Sequence, residues 1–193
     1  MGQEPVVAYL AARGCSIVAT DLGSGAWWGN WKEILNDRNL CNQKDFEKRV
    51  QARDVDMNWI PLDLRKEEFD FAWSCCSLDH VGSILLGQRF ICKQMECLAS
   101  GGVSIHTGEY NLTSTWDTVD YASTVAWTRY DICMLMSFLE SHGNKCHFDW
   151  QFDPESTYPR LKDMGVSMRG NLDLTSFALP VVKGEGQKVI WAD

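Results

Sequence analysis

The chain has 193 residues, 45% of them hydrophobic, and a formal charge of −8 from 18 basic and 26 acidic side chains. That length suits a single domain, 1–193, with one ordinary core, and the acidic balance, with no run of Lys or Arg, argues against nucleic acid as a partner. No apolar stretch approaches the ~20 residues of a membrane span and no basic-then-apolar leader opens the chain, so the expectation is a cytoplasmic protein with no membrane partner.

Residues 4–13, EPVVAYLAAR, carry apolar side chains at helical spacing, with Pro5 suited to a first turn and Gly14 to a stop. CSIVATD then reads as a short buried strand ending at Asp21. Residues 23–49 are polar and rich in Trp, with short helices expected around WKEILND and KDFEKRV. VQARDVDMN and FDFAWSCC are a second and a third strand, a helix follows over 82–98, and the turn ASGG leads into the strand VSIHTGE. Residues 110–129 show no clear period, which predicts a long functional loop, a lid. RYDICMLMSFLESHG is a helix closed by Gly143, and CHFDWQF and LTSFALPVV are strands. Strands alternating with helices predict an α/β fold with a largely parallel sheet. The eight cysteines show no CxxC spacing, so reduced, mostly buried thiols are expected rather than a metal site or disulfides.

In an open parallel sheet ligands bind at the carboxyl ends of the strands. Asp21, Asp56 and the run Ser74-Cys75-Cys76-Ser77 stand there. Asp21 also follows Gly2 at nearly the ~20-residue offset at which an acid meets a ribose diol. A carboxylate accepts two hydroxyl hydrogen bonds at once, which points to a nucleoside ligand. A pyrophosphate wants a glycine-rich turn, and here Gly2 is followed by Gln3 and Glu4. Glu4 would repel a pyrophosphate but suit a sulfonium and an ammonium group. Asp56 offers an acceptor to an adenine amine and Met57 a soft apolar side chain to the ring. Asp54 competes with Asp56 for that role, and Asp21 could instead cap a turn.

With ATDL, VDMN, FDFAWSCCSLDHVGS and MECLASGGVSIHTGEYN in this order, the chain resembles the class I S-adenosylmethionine-dependent methyltransferases over residues 2–182. The resemblance implies a Rossmann-like, mostly parallel seven-stranded sheet with one antiparallel strand and helices on both faces. It implies S-adenosylmethionine as cofactor and a small-molecule acceptor. Carried over by position, Gly2 and Glu4 end the glycine loop, Asp21 and Leu22 meet the ribose, and Asp56 and Met57 meet the adenine. Ser74, Cys75 and Ser77 flank the methionine portion. His80 is the natural general base, against a structural role holding its loop, and Glu109 and Asn111 are placed to meet the acceptor. His106, within a strand, reads as a hydrogen-bonded core residue. Trp27, Trp28 and Trp31 form either a substrate wall or a staple for their loop. The changes from the family's motifs keep a non-catalytic binding protein of this fold as the alternative.

The family's first strand has no counterpart before Gly2. The final residues, QKVIWAD, have its pattern of a buried strand ending in an acid. A circular permutation would place 188–193 in that slot and bring Asp193 to the cofactor. The linker KGEGQ spans roughly 16 Å when extended, against about 14 Å for three strand spacings. A plain hairpin turning at GEG is the other reading of the same residues.

Overall fold

The computed structural model describes residues 5–23, 30–114, 116–121, 124–150 and 173–185. The chain divides into two compact units, Met1–Trp59 and Ile60–Asp193. Gly2, Glu4, Trp27, Trp28 and Asp193, with the strand expected at 188–193, lie outside the described residues.

In the first unit, helix α1 (Val6–Ala12) buries Val7, Ala8 and Ala11. The chain leaves it through Gly14 at φ +96°, a left-handed conformation that glycine adopts at little cost. Strand β1 (Ile17–Asp21) follows and pairs in parallel with β2 (Val50–Asp54), Asp21 opposite Asp54. Helices α2 (Trp31–Ile34) and α3 (Gln43–Arg49) connect the two strands. Asn42 caps α3 by accepting the Lys44 amide, and Arg49 at its far end donates to the Gly14 carbonyl at 2.8 Å. Trp31 is buried, so of the two roles open to it the structure shows the loop staple.

The second unit is built on strand β4 (Leu98–Asn111). Strand β3 (Phe69–Ser74) and strand β6 (Thr124–Trp127) pair parallel to it, and β8 (Leu174–Val182) pairs antiparallel. Short strands β5 (Val119–Tyr121) and β7 (Lys145–Cys146) add antiparallel to β6 and β8. The α-helices among the described residues of this unit are α4 (Ile84–Gln94) and α5 (Arg129–Ser141). Alternate residues of β4 are buried, with Ser104, His106 and Gly108 on that face. Phe90 of α4 sets its ring edge-on to His106, and Met95 receives the Ser104 hydroxyl. Trp127, Ile91, Ile132, Leu135, Leu139 and Leu179 fill the core.

The fold is therefore α/β with a mixed sheet, and the described residues do not form the single seven-stranded sheet with one antiparallel strand that the resemblance implied. The described residues hold eight strands in two sheets, and half of their six strand pairings are antiparallel. One cause lies in 110–129, where β5 and β6 form a strand pair: TVDY and STVAW are rich in β-branched and aromatic residues, which suit a pleated surface. A second difference is at ASGG, which is not a turn before a strand but part of β4 itself. The register jumps there, Phe69 facing Leu98 and Phe71 facing Val103, and the surplus residues bulge through Gly101 at φ +77°. No side chain fits at Gly102, where a Cβ would lie 2.8 Å from the Ala99 carbonyl. All eight cysteines are free thiols, three of them exposed rather than mostly buried. Among the described residues no helix is long and apolar enough to cross a membrane.

Candidate functional site

The first unit brings Asp21 and Leu22 to the carboxyl end of β1. Asp21 is half-buried, and its Oδ1 accepts the Leu22 amide at 2.7 Å while its carbonyl accepts the Val55 amide. The carboxylate is thus oriented by the turn that follows the strand, and the Leu22 side chain is exposed. Asp54, at the matching end of β2, is committed elsewhere. Its carboxylate takes the Lys32 ammonium at 2.8 Å and the Trp31 indole N–H at 3.2 Å. The Lys32 hydrogen bond, then that of Trp31 and the Lys32 charge, hold the Asp54 carboxyl below its usual range against the opposing effect of burial. Asp54 thus spends its carboxylate on Lys32 and Trp31. Asp56 sits one turn further on, where its Oδ1 accepts the Asn58 amide at 2.8 Å, an Asx turn that aims the side chain. Asp56 and Met57 are both half-buried.

The second unit gathers Ser74, Cys75, Ser77, His80 and Glu109 at the carboxyl ends of β3 and β4. Ser74 ends β3 and is buried, its hydroxyl 2.8 Å from His106 Nδ1 on β4. Desolvation drives the His106 pKa down to about 3, so the ring is neutral, and its Nε2 has no hydrogen-bond partner among the described residues. An unmet acceptor is tolerated better than an unmet N–H in such a place. This favours the tautomer in which Nδ1–H donates to Ser74 and leaves the serine proton for another acceptor. The Ser77 hydroxyl donates to the Cys75 carbonyl, and the Cys76 amide, at a left-handed φ of +47°, donates to the Thr107 hydroxyl. A non-glycine residue held there by the surrounding structure is a mark of a constrained site.

Leu78–His80 form a single 3-10 turn. His80 is exposed and its Nε2 lies 3.1 Å from Asp79 Oδ2. Asp79 is 7% exposed, and its Oδ1 is buried without a partner among the described residues. Glu109 is half-buried near both. Burial first, then the Asp79 charge, push its carboxyl above the usual range, and His80 partly offsets them. His80 and Glu109 are thus brought together, with Asp79 as a third member that motif reading passed over. Its signal in the sequence was only its place beside His80, since burial and pairing are properties of the fold. Asn111 turns the other way: it is buried, its amide on the Asp117 carbonyl and its oxygen on the Thr113 and Ser114 amides, so it shapes the following turn.

The α/β arrangement has parallels in solved structures. A S-adenosylmethionine-dependent methyltransferase from Methanosarcina mazei superposes with a TM-score of 0.53 at 13% identity, covering 91% of this chain and 85% of its own. Geranyl diphosphate methyltransferase, solved with S-adenosylmethionine, gives 0.54 at 13% identity over 88% of this chain and 69% of its own. The fold is that of the S-adenosylmethionine-dependent methyltransferases. The [4+2]-cyclase SpnF shares it, with a TM-score of 0.56 at 16% identity over 92% of this chain and 70% of its own. No family model and no curated protein matches the chain.

Proposed function

We propose that the chain binds S-adenosylmethionine and transfers its methyl group to a small-molecule acceptor. The observation that carries this reading is the likeness of fold to methyltransferases over about nine-tenths of the chain. The groups at the strand ends fit the cofactor. In the first unit Asp21, oriented by the Leu22 amide, suits a ribose diol, and Asp56 with Met57 suits an adenine. In the second, Ser74, Cys75 and Ser77 offer small polar contacts to an amino-acid tail. Gly2, Glu4 and Asp193 enter the proposal on sequence alone.

The cofactor supplies a methyl group on a cationic sulfur, a good leaving group, so the protein's part is alignment, exclusion of water and handling of the acceptor's proton. His80, braced by Asp79, and Glu109, whose burial makes it readier to hold a proton, are suited to that last task. Production of S-adenosylhomocysteine with a panel of amine, hydroxyl and thiol acceptors tests the reading. Turnover with one class is the expected result.

A second reading is a cofactor-binding protein of this fold that moves no methyl group. It is favoured by one observation, that the same fold serves a [4+2]-cyclase. Cofactor binding without turnover on any acceptor would select it. The permuted first strand at 188–193 belongs to the proposal as well: deleting 188–193 should abolish cofactor binding if those residues form the central strand, and spare it if they form an edge hairpin.

A further inference from the structure

A groove of about 420 Å³ opens in the second unit, between the N-terminal halves of α4 and α5 and the residues Thr118–Asp120. Its size falls within the ~300–1,000 Å³ range of small-molecule sites. Its three walls follow three parallel strands: α4 comes after β3, Thr118 and Asp120 after β4, and α5 after β6. The carboxyl end is where parallel sheets receive ligands.

The walls are apolar and acidic. Leu85, Met134 and Tyr130 line the groove while 60%, 51% and 47% exposed. Trp116, 71% exposed, tilts against the Tyr130 ring with centroids 5.5 Å apart. Large apolar side chains scattered singly need no explanation, but several converging on one concave surface mark a binding site. Among the described residues the charged groups lining the groove are Asp120 and Asp131, and no Lys, Arg or His lines it. Asp131 is buried and fixed: its Oδ2 accepts the Thr118 hydroxyl, the Thr128 hydroxyl and the Thr128 amide at 2.7, 2.7 and 2.9 Å. A carboxylate locked in the inner wall, a second at the exposed edge and the Tyr130 ring, backed by Trp116, together complement a positive charge on a hydrophobic body.

We propose that this groove binds a small organic cation, an amine or quaternary ammonium group carried on an apolar skeleton. The site goes beyond the methyl-transfer reading and stands whether or not the chain binds S-adenosylmethionine.

Three probes of one shape and different charge test it: 2-phenylethylammonium, 2-phenylethanol and phenylacetate, titrated into the full chain and followed by amide NMR. The cation should bind about fivefold or more tightly than the alcohol, with phenylacetate weakest, and shift amides around 84–88, 118–120 and 130–134. Asp120→Asn should cut the preference for the cation and leave the alcohol unchanged. Met134→Lys, at an exposed helix position that tolerates it, should abolish cation binding. Equal binding of all three probes, shifts confined elsewhere, or an unchanged preference in Asp120→Asn would overturn the proposal. So would a concentration-dependent dimer that Met134→Lys dissolves, because the groove would then be covered by a second copy of the chain.

Discussion

Asp21 and His106 carry opposite kinds of polar group. Asp21 is half-buried and presented at a strand end, so removing its carboxylate should tell on ligand binding more than on folding. Asp21→Ala should weaken S-adenosylmethionine binding by about 1–3 kcal/mol, roughly 5- to 150-fold, by calorimetry, with little change in melting temperature. His106 is fully buried and neutral, with a folded pKa of about 3 against 6.5 in the unfolded chain. Its stabilising contribution is complete above pH 6.5. It falls as pH drops below 6.5, because the unfolded imidazole takes up a proton that the folded one refuses until about pH 3. Denaturant unfolding at pH 6 and pH 5 should therefore show the wild type losing about 1 kcal/mol more than His106→Asn over that interval. Equal losses would mean that His106 is solvated in the fold. The sequence exposed the buried, hydrogen-bonded place of His106 because a histidine inside a strand has few alternatives. It could not show Asp79, nor that Asp54 is spent on Lys32 and Trp31, because both follow from contacts between residues distant in the chain or from depth of burial.

Elements were legible where their local pattern agreed with their final environment. LTSFALPVV is the strand Leu174–Val182, and RYDICMLMSFLES is the helix Arg129–Ser141. The helix start was written in TRYD: Thr128 and Asp131 form a reciprocal capping box. Thr128→Ala should cost about 0.5–2 kcal/mol in thermal or chemical unfolding, and Thr128→Ser should recover most of it. The strand pair in 110–129 and the bulge at ASGG were hidden, since such short segments pair only when a neighbouring edge is offered. Gly87 illustrates the same dependence on partners. Within a helix, Gly→Ala ordinarily adds up to about 1 kcal/mol of stability. Here a Cβ would sit 2.6 Å from Cζ2 of Trp127, a ring fully buried under α4. Overpacking of about 1–3 kcal/mol should outweigh the helical gain. Gly87→Ala is accordingly expected to lower the melting temperature, and a rise would show that Trp127 can move aside.

At the scale of the whole molecule, the chain carries a formal charge of −8, and the strand ends offer carboxylates, hydroxyls and a soft thioether. Such a field draws in positively charged ligands and repels polyphosphates, which agrees with a sulfonium cofactor and with a cation-binding groove. Fold class emerged from the sequence because strand and helix patterns alternate along the chain. Sheet composition did not, because strand order and direction are set by long-range pairing. The central claim is that this methyltransferase fold holds S-adenosylmethionine. Calorimetry of the purified chain against S-adenosylmethionine, S-adenosylhomocysteine and NADH tests it most directly. The account predicts saturable one-to-one binding of the two adenosyl ligands, weakened in Asp21→Ala, and none of NADH. Binding of NADH with none of S-adenosylmethionine would contradict it.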